Sequence, residues 1–315
     1  RTIPNNTHAS LMRRFNWNPL NMVLVNGKSL DNEKVEQITL DGLLRVESFF
    51  TMGGKGNLKV IREYFPSVDK PALVELYRII NPEKSSVTVE IPSSLSVIET
   101  LRDEGVDGSY RLATAVNRNG SYHLAGGDTL LFTGYIAAYK MNDPIEKIDG
   151  EVEKQKRVEL ISFLKSNLVL ETPNDTINRM FAFSKIRACE SIFETKGGPL
   201  HGPGGESYYA AIWANDQAEY VNPYFPFVGY AYGNKSALNS FMQFSRFMNE
   251  EWKPIPSSII AEGLDIWNGA GDRGDAAMIA YGASRYALAS GKPDEADKLW
   301  PLIEWCLTYC NRNLN

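Results

Sequence analysis

The sequence predicts a multidomain protein whose first part is an antiparallel β-sandwich and whose last part is helical. Short runs of β-branched and aromatic residues, separated by turn clusters, fill the first 141 residues. Apolar residues recur three or four apart from residue 173 onward, which is the helical period. A charged, helix-permissive stretch lies between the two patterns. We therefore expect a β-sandwich over 1–141, a linker helix within 142–172 and helices over 173–315.

The first half begins with a predicted hairpin. In KVEQITLDGLLRVESFF, two strand-like runs flank Asp41-Gly42, a dipeptide that supplies the positive φ angles of a tight turn. Turn clusters such as PSVDKP and NRNGS separate the further runs, which are NLKVIREYF, ALVELYRII, SVTVEI, YRLATAV and TLLFTGYIAAY. Because no helical pattern interrupts them, we expect these strands to form an antiparallel sandwich.

The stretch NDPIEKIDGEVEKQKRVELISFLKSNLVL predicts the linker helix. Its apolar residues Val152, Val158, Ile161 and Leu164 have helical spacing, and charged residues occupy many of the remaining positions.

Four helices are predicted after the linker. The first, NDTINRMFAFSKIRACESIFET, is expected to be capped by Asn174 or Asp175 and to end at Gly197-Gly198. The others are NKSALNSFMQFSRFMNEEW, DRGDAAMIAYGASRYALAS and DEADKLWPLIEWCLTYCNRN, in which Pro301 marks a kink or a start. The connections 196–232 and 250–271 are predicted as long loops, whose glycine and aromatic content favours a functional role over disorder.

Composition limits the classes of function. The 315 residues suggest two domains, and a net charge of −5 argues against a basic nucleic-acid surface. No apolar run is long enough to span a membrane. The three cysteines form no zinc-site spacing, so we expect no metal or other cofactor. The chain starts at Arg1 without methionine, which fits a removed signal peptide or trimming and favours a periplasmic or extracellular location.

One stretch combines a tryptophan with densely placed polar groups. YYAAIWANDQAEY, residues 208–220, carries Trp213, Asn215, Asp216 and Gln217 and follows the glycine-rich GGPLHGPGG. Residues 208–232 hold nine aromatic residues, although the chain average of 11% predicts about three. Flat rings suit the C–H faces of sugars, whose hydroxyls need polar partners. The alternative is a well-packed core around helix ends.

Acidic residues are concentrated in or beside the two long loops. Glycoside hydrolysis needs two carboxyl groups flanking one bond, and the one that acts as acid must keep its proton. Glu262 and Asp265 are the local candidates for the acid, whereas Asp272 and Asp275 have the positions of a helix cap and a first-turn residue. Each acid alone is also explained as a cap or a solvated charge. The whole set is Glu206, Asp216, Glu219, Glu262, Asp265, Asp272 and Asp275.

The histidine in GGPLHGPGG leaves two interpretations open. His201 is either a residue that packs the loop or the base of a polysaccharide lyase, with Tyr208 or Tyr209 as its partner. The loop lacks the GK[ST] of a phosphate cradle and follows a predicted helix rather than a strand. The chain also lacks G-x-S-x-G, which argues against an α/β-hydrolase.

Three passages resemble the six-hairpin glycosidases of the glycogen-debranching and amyloglucosidase type. YYAAIWANDQAEY resembles that family's aromatic-rich W-x-R-D segment. The passage from PIPSSIIAEGLDIWNGAGDRGDAAM to IEWCLTY resembles its G-x-[IL]-P loop and the helix that follows, and REYFPSVDKPALVELYRIIN resembles a strand pair of its sandwich. The family places an N-terminal sandwich before a toroid of twelve helices, the (α/α)6 barrel.

The resemblance implies that Trp213 and Asp216 line the sugar subsite, with Asp275 at the start of an inner helix and Trp267 nearby on the loop. The family's arginine is Asn215 here, which puts charge-assisted sugar recognition in doubt. Four helices are a third of such a toroid, so we expect a truncated portion of it, with the acid and base beyond Asn315 or uncertain within the chain. The substrate-binding set that we expect is His201, Tyr209, Trp213, Asn215, Asp216, Gln217, Trp267, Asp272 and Asp275.

The expected function is therefore glycoside hydrolysis of an oligo- or polysaccharide, of the inverting type. The alternatives are a polysaccharide lyase on a related toroid and a non-catalytic glycan-binding protein. A carbohydrate is the expected partner.

Overall fold

The computed structural model describes residues 15–51, 57–102, 108–195, 197–202, 211–260, 265–267 and 272–314; at 260 and 265–267 it describes the backbone alone. The chain divides into two compact units, a β unit that ends at Ser162 and a helical unit that begins at Phe163. Antiparallel sheets dominate the first and helices the second, so the prediction of antiparallel β structure followed by helices is confirmed.

The described part of the β unit holds two antiparallel sheets. One has the strand order β3-β4-β5-β6-β11-β9-β8 and the other the order β10-β7-β1-β2. The strands are β1 Leu24–Val25, β2 Lys28–Ser29, β3 Asp31–Leu40, β4 Leu44–Thr51, β5 Asn57–Pro66, β6 Ala72–Ile80, β7 Val87–Ile91, β8 Leu95–Glu99, β9 Tyr110–Val116, β10 Gly120–Leu124 and β11 Thr129–Lys140.

A single hydrophobic cluster joins the two sheets. Val60 on β5 and Phe132 on β11 pack with Val89 of the smaller sheet, and all three side chains are buried. The rings of Tyr77 and Phe132 stack with centroids 4.7 Å apart. Each such side chain contributes about 1.5–3 kcal/mol when it is fully buried. On β7, Val87, Val89 and Ile91 are the buried residues, and they alternate along the strand.

The helix α1, Gly150–Ser166, packs on the hairpin between β3 and β4. Gly42 has the predicted positive φ of +81°, and a Cβ at this position would lie 2.6 Å from Ile161. The Arg157 guanidinium donates from Nε and Nη2 to the Gly42 carbonyl at 2.9 and 2.7 Å. The glycine thus serves both the turn and the close approach of the helix.

The described helices of the second unit are α2 Asp175–Glu190, α3 Phe225–Val228, α4 Ala231–Ser245, α5 Asp275–Ser290 and α6 Pro293–Arg312. Its strands are β12 Ile192–Thr195, β13 Gly198–His201, β14 Ala211–Trp213, β15 Ser258–Ile260 and β16 Asp265–Trp267. β12 pairs with β13, and the other three form one antiparallel sheet.

Some predicted boundaries in this unit are wrong. Asn174 does cap α2, because its side chain accepts from the backbone amides of Thr176 and Ile177. The helix nevertheless ends at Glu190 rather than at Gly197-Gly198, because the residues between form a strand. The stretches predicted as loops contain β13 to β16, α3 and a π-helical segment, Asp216–Val221. Pro301 lies inside α6 and does not begin it.

A buried lysine fixes the residues that follow α1. Lys185 on α2 is 1% exposed, and its ammonium donates to the carbonyls of Lys165, Asn167 and Leu168. A cation is favourable there because the carbonyls at a helix C-terminus carry partial negative charge. Burial lowers the pKa of Lys185.

None of the helices in the described ranges is long and apolar enough to cross a lipid bilayer.

Candidate functional site

The tryptophan of the predicted site lies at the end of a strand in a small sheet. Trp213 pairs with Ser258, which in turn pairs with Trp267, so the three backbones align across β14, β15 and β16. Ile212 and Ile259 form the adjacent pair and are fully buried. This apolar pair anchors the sheet, and Trp213 remains partly exposed at its end.

A π-helical segment follows the strand and begins at Asp216. π-Helical segments are rare in proteins, and those that do occur are often located at functional sites. Asp216 is half-buried, and this burial raises the pKa of its carboxyl, as does the negative charge of Glu219. Asn215 precedes it with an exposed side chain that makes no capping hydrogen bond. The segment thus carries a half-buried carboxyl and an exposed amide within three residues of a partly exposed indole.

Buried amides line the inner side of the same segment. Gln217 is fully buried, and its Nε2 donates to the His201 carbonyl at 2.8 Å. Within the described ranges, Gln217 Oε1 and both polar side-chain atoms of Asn222 have no hydrogen-bond partner. Ser258, which pairs with Trp213 across the two strands, also has a buried Oγ without a hydrogen-bond partner among the described residues. Buried polar atoms of this kind are costly unless water or a ligand satisfies them.

The start of α5 carries the two acids that were predicted as cap and first-turn residues. The N-cap is Gly274, with φ +87°, and not Asp272; the prediction of Asp272 as the cap is therefore wrong. Asp272 Oδ1 instead accepts from the Gly274 amide at 2.9 Å, and Tyr309 of α6 donates its hydroxyl to Asp272 Oδ2. Glycine takes the cap position because this backbone conformation disfavours a Cβ.

Asp275 is the first residue of α5 and is 3% exposed. Its Oδ2 has no hydrogen-bond partner among the residues described. Burial raises the pKa of this carboxyl, and the nearby Asp272 adds to the rise. A helix N-terminus favours a carboxylate, but burial here opposes the charge.

α5 and the π-helical segment approach each other closely. A Cβ on Gly282 would lie 2.4 Å from the Ala218 Cα, a distance that only glycine allows. Arg285, one turn further along α5, donates to the Glu219 carbonyl. The helix that carries Asp275 therefore also supports the segment that carries Asp216.

His201 ends β13 and packs against α3. Its ring meets the Phe225 ring edge-on, with centroids 5.9 Å apart. Burial lowers the pKa of His201 to about 4, so the ring is neutral but weakly basic near neutral pH. This geometry favours the packing interpretation of His201 over that of a lyase base.

The side chains of the remaining predicted site residues lie outside the described part of the structure. Glu262, Tyr209, Tyr208 and Glu206 lie outside the described residues. Asp265 and Trp267 are described by their backbones in β16 and not by their side chains.

Sequence reasoning missed Ser258, Asn222 and Tyr309. Ser258 is significant because strand pairing places it opposite Trp213, and no local pattern encodes that register. Tyr309 was predicted only as part of a helix, and its partner Asp272 is distant in sequence. No group of three or more potential metal ligands occurs in the part of the chain that the structure describes.

Comparison with known proteins finds weak structural similarity and no sequence relative. No family model and no curated protein matches the chain. Among solved structures it is similar to a bacterial glucoamylase complexed with acarbose, at 10% identity and a TM-score of 0.31, over 88% of this chain and 58% of that one. It is also similar to a polysaccharide lyase, at 7% identity and a TM-score of 0.22, over 83% of this chain and 57% of that one. The chain thus spans less than three fifths of either structure, and similarity at this level assigns no activity.

Proposed function

We propose that the chain is part of a carbohydrate-active enzyme, a glycoside hydrolase of the inverting type. The observation that carries the proposal is the turn at the end of β14. There a partly exposed tryptophan, Trp213, is followed three residues later by the half-buried Asp216. Burial raises the pKa of the Asp216 carboxyl. A flat apolar ring beside a carboxyl supplies both the stacking surface and the hydroxyl partner that a sugar needs.

In this proposal each residue has a distinct role. Trp213 stacks on a sugar face, and Asp216 accepts hydrogen bonds from sugar hydroxyls. Asn215 adds a neutral amide where the resembled family has an arginine. Asp275 is a buried carboxyl at the adjacent helix start. Glu262 or Asp265 is proposed as the acid.

The architecture is proposed in matching terms. The two sheets of the β unit form a sandwich over 1–141, residues 142–172 hold the linker helix, and 173–315 form the first part of an (α/α)6 toroid. A periplasmic or extracellular location belongs to the same proposal.

The test is a screen of the complete natural protein against aryl α- and β-glycosides and a panel of polysaccharides. Release of reducing ends without ultraviolet absorbance supports hydrolysis and identifies the sugar. New absorbance from unsaturated products indicates a lyase and contradicts the proposal. Measurable glycan binding without either product indicates a protein that recognises glycans and does not cleave them.

Asp216→Asn tests the residue that carries the proposal. A charged hydrogen bond is worth about 1.5–3 kcal/mol, so we expect kcat/KM on the screened substrate to fall by about 10- to 100-fold. The thermal midpoint should change little, because the amide has the same shape as the carboxyl. Asp175→Asn is the matched control, since Asp175 also begins a helix but is exposed on α2. Equal activity of the two variants would remove Asp216 from the site.

A further inference from the structure

The last turns of α6 brace the start of α5. Tyr309 is 7% exposed, and its hydroxyl donates to Asp272 Oδ2. The other oxygen of Asp272 accepts from the Gly274 amide at 2.9 Å, and Gly274 caps the helix with φ +87°. One hydroxyl on α6 is thus linked through a single carboxylate to the turn that begins α5.

Three aromatic rings fix the position of that hydroxyl. Tyr309 stacks on Trp305 with centroids 5.5 Å apart and planes 12° apart, and Trp305 stacks on Trp252 at 5.4 Å and 13°. The Arg312 guanidinium covers the outer face of Trp252 at 4.8 Å. Trp305 Nε1 also donates to the Asn249 carbonyl at 3.1 Å. Stacked rings with two rotatable bonds each leave the Tyr309 hydroxyl little freedom.

The braced turn leads directly into Asp275. This residue is 3% exposed, and its Oδ2 has no partner within the described part of the chain. A carboxyl without a full set of hydrogen bonds responds strongly to any water that reaches it. The Asp272–Gly274 turn directly precedes this carboxyl, so we expect a change in the turn to alter how well Asp275 is shielded from water.

We propose that Tyr309 is a positioning residue, which acts through Asp272 and the Gly274 turn to hold the Asp275 carboxyl in its buried position. The effect on catalysis rests on the proposed function, whereas the effect on the Asp275 carboxyl does not. Among the described residues, the charged and titratable groups that act on Asp275 are Arg273, Asp272 and Tyr309.

The test is Tyr309→Phe, which removes one oxygen atom and no charge. The matched control is Tyr286→Phe on α5, whose hydroxyl also donates to a carboxylate, Glu295 Oε2, at 2.7 Å. The complete protein is labelled with ¹³C at the aspartate carboxyl carbons, and Asp275→Asn identifies the Asp275 signal. Each variant is then titrated by NMR.

We expect the pKa of Asp275 to move down, towards the ordinary aspartate value, in Tyr309→Phe and to stay unchanged in Tyr286→Phe. The reason is that a loosened turn admits water, which favours the carboxylate. An unchanged Asp275 titration in a folded Tyr309→Phe protein, or equal shifts in both variants, would overturn the proposal. If Tyr309→Phe does not fold, Trp305→Leu, which removes the ring that supports Tyr309, is titrated in its place under the same criteria.

Activity provides a second readout. On a substrate found by the glycoside screen, we expect Tyr309→Phe to lower kcat/KM about tenfold, with a change in thermal midpoint no larger than that of the control. Normal turnover by Tyr309→Phe would overturn the expected effect of Tyr309 on catalysis and would leave the proposed function standing. A wild-type protein that cleaves none of the panel would contradict the proposed function, and the titration would still decide the role of Tyr309.

Discussion

At the scale of single residues, the candidate site holds two carboxyls whose ionisation is opposed by burial. Burial raises the pKa of both Asp216 and Asp275. A group whose pKa is higher in the folded state favours folding below its unfolded-state pKa, and that contribution is lost as the pH rises through the folded-state pKa. Both residues therefore reduce stability when they ionise, a cost that is typical of groups retained for function.

The charge of Glu219 gives a way to test Asp216 without removing it. Glu219 is exposed, and its negative charge adds to the rise in the pKa of Asp216. In Glu219→Gln this pKa should fall, so the acidic limb of the pH–activity profile should move to lower pH. The measurement is kcat/KM against pH, with the exposed Glu304→Gln on α6 as control. A limb that does not move would mean that its titrating group is not Asp216.

Residue composition located this region but could not describe its environment. The density of aromatics and polar groups in 208–220 indicated Trp213 and Asp216 directly. The burial that shifts the titration of Asp216 depends on contacts with distant elements, which one sequence does not encode locally. The same limit applies to Asp272, whose partner Tyr309 lies on another helix.

At the scale of elements, a single glycine determines how α5 meets the site. Gly282 lies inside the helix, where glycine is less favourable than alanine by about 1 kcal/mol. Its position is explained by the Ala218 backbone, against which any Cβ would collide. Packing therefore outweighs helix propensity at this residue.

In Gly282→Ala, the sign of the change in the free energy of unfolding distinguishes the effect of helix propensity from that of packing. Propensity alone would stabilise the variant, whereas the clash with Ala218 should destabilise it by about 1–3 kcal/mol. The free energy of unfolding in urea measures the change. Ser284→Ala on the same helix, at a partly exposed position, is the control. A more stable Gly282→Ala protein would show that the π-helical segment moves away easily.

The strands with many buried side chains and the Asp-Gly hairpin were predicted well. β5, β6 and β11 carry long runs of buried side chains, and β-branched and aromatic residues indicated them. β8 is exposed along its whole length and was not predicted. β3 is equally exposed, but the Asp41-Gly42 turn indicated its hairpin. The three-residue strands β14 to β16 exist through pairing with one another, which local propensity does not specify.

At the scale of the whole molecule, α1 contributes to the stability of the β unit. Glu153 on α1 is fully buried and accepts from Ser67 Oγ at 2.6 Å and Lys70 Nζ at 2.9 Å. Together with the bonds from Arg157 to Gly42, these contacts connect the helix to two separate turns of the unit. The sequence predicted the helix but not the surface that it covers.

Two fragments test this contribution. A fragment of residues 1–170 should unfold cooperatively in urea, whereas a fragment of residues 1–141 should unfold at lower urea or aggregate, because it exposes the surface beneath Ile161. Arg157→Met in the longer fragment is a milder change that should lower the midpoint without abolishing folding. Equal midpoints for both fragments would mean that α1 adds nothing to the β unit.

The carbonyls of Lys165, Asn167 and Leu168 enclose the ammonium of Lys185 and protect it from chemical modification. Amine-reactive reagents need a neutral, accessible nitrogen, whereas Lys185 is 1% exposed and its ammonium donates to three carbonyls. Acylation of Lys185 therefore requires that α2 first separate from residues 165–168. The rate at which Lys185 is modified therefore reports the rate of that local opening. Mass spectrometry of the single peptide that contains Lys185 measures it.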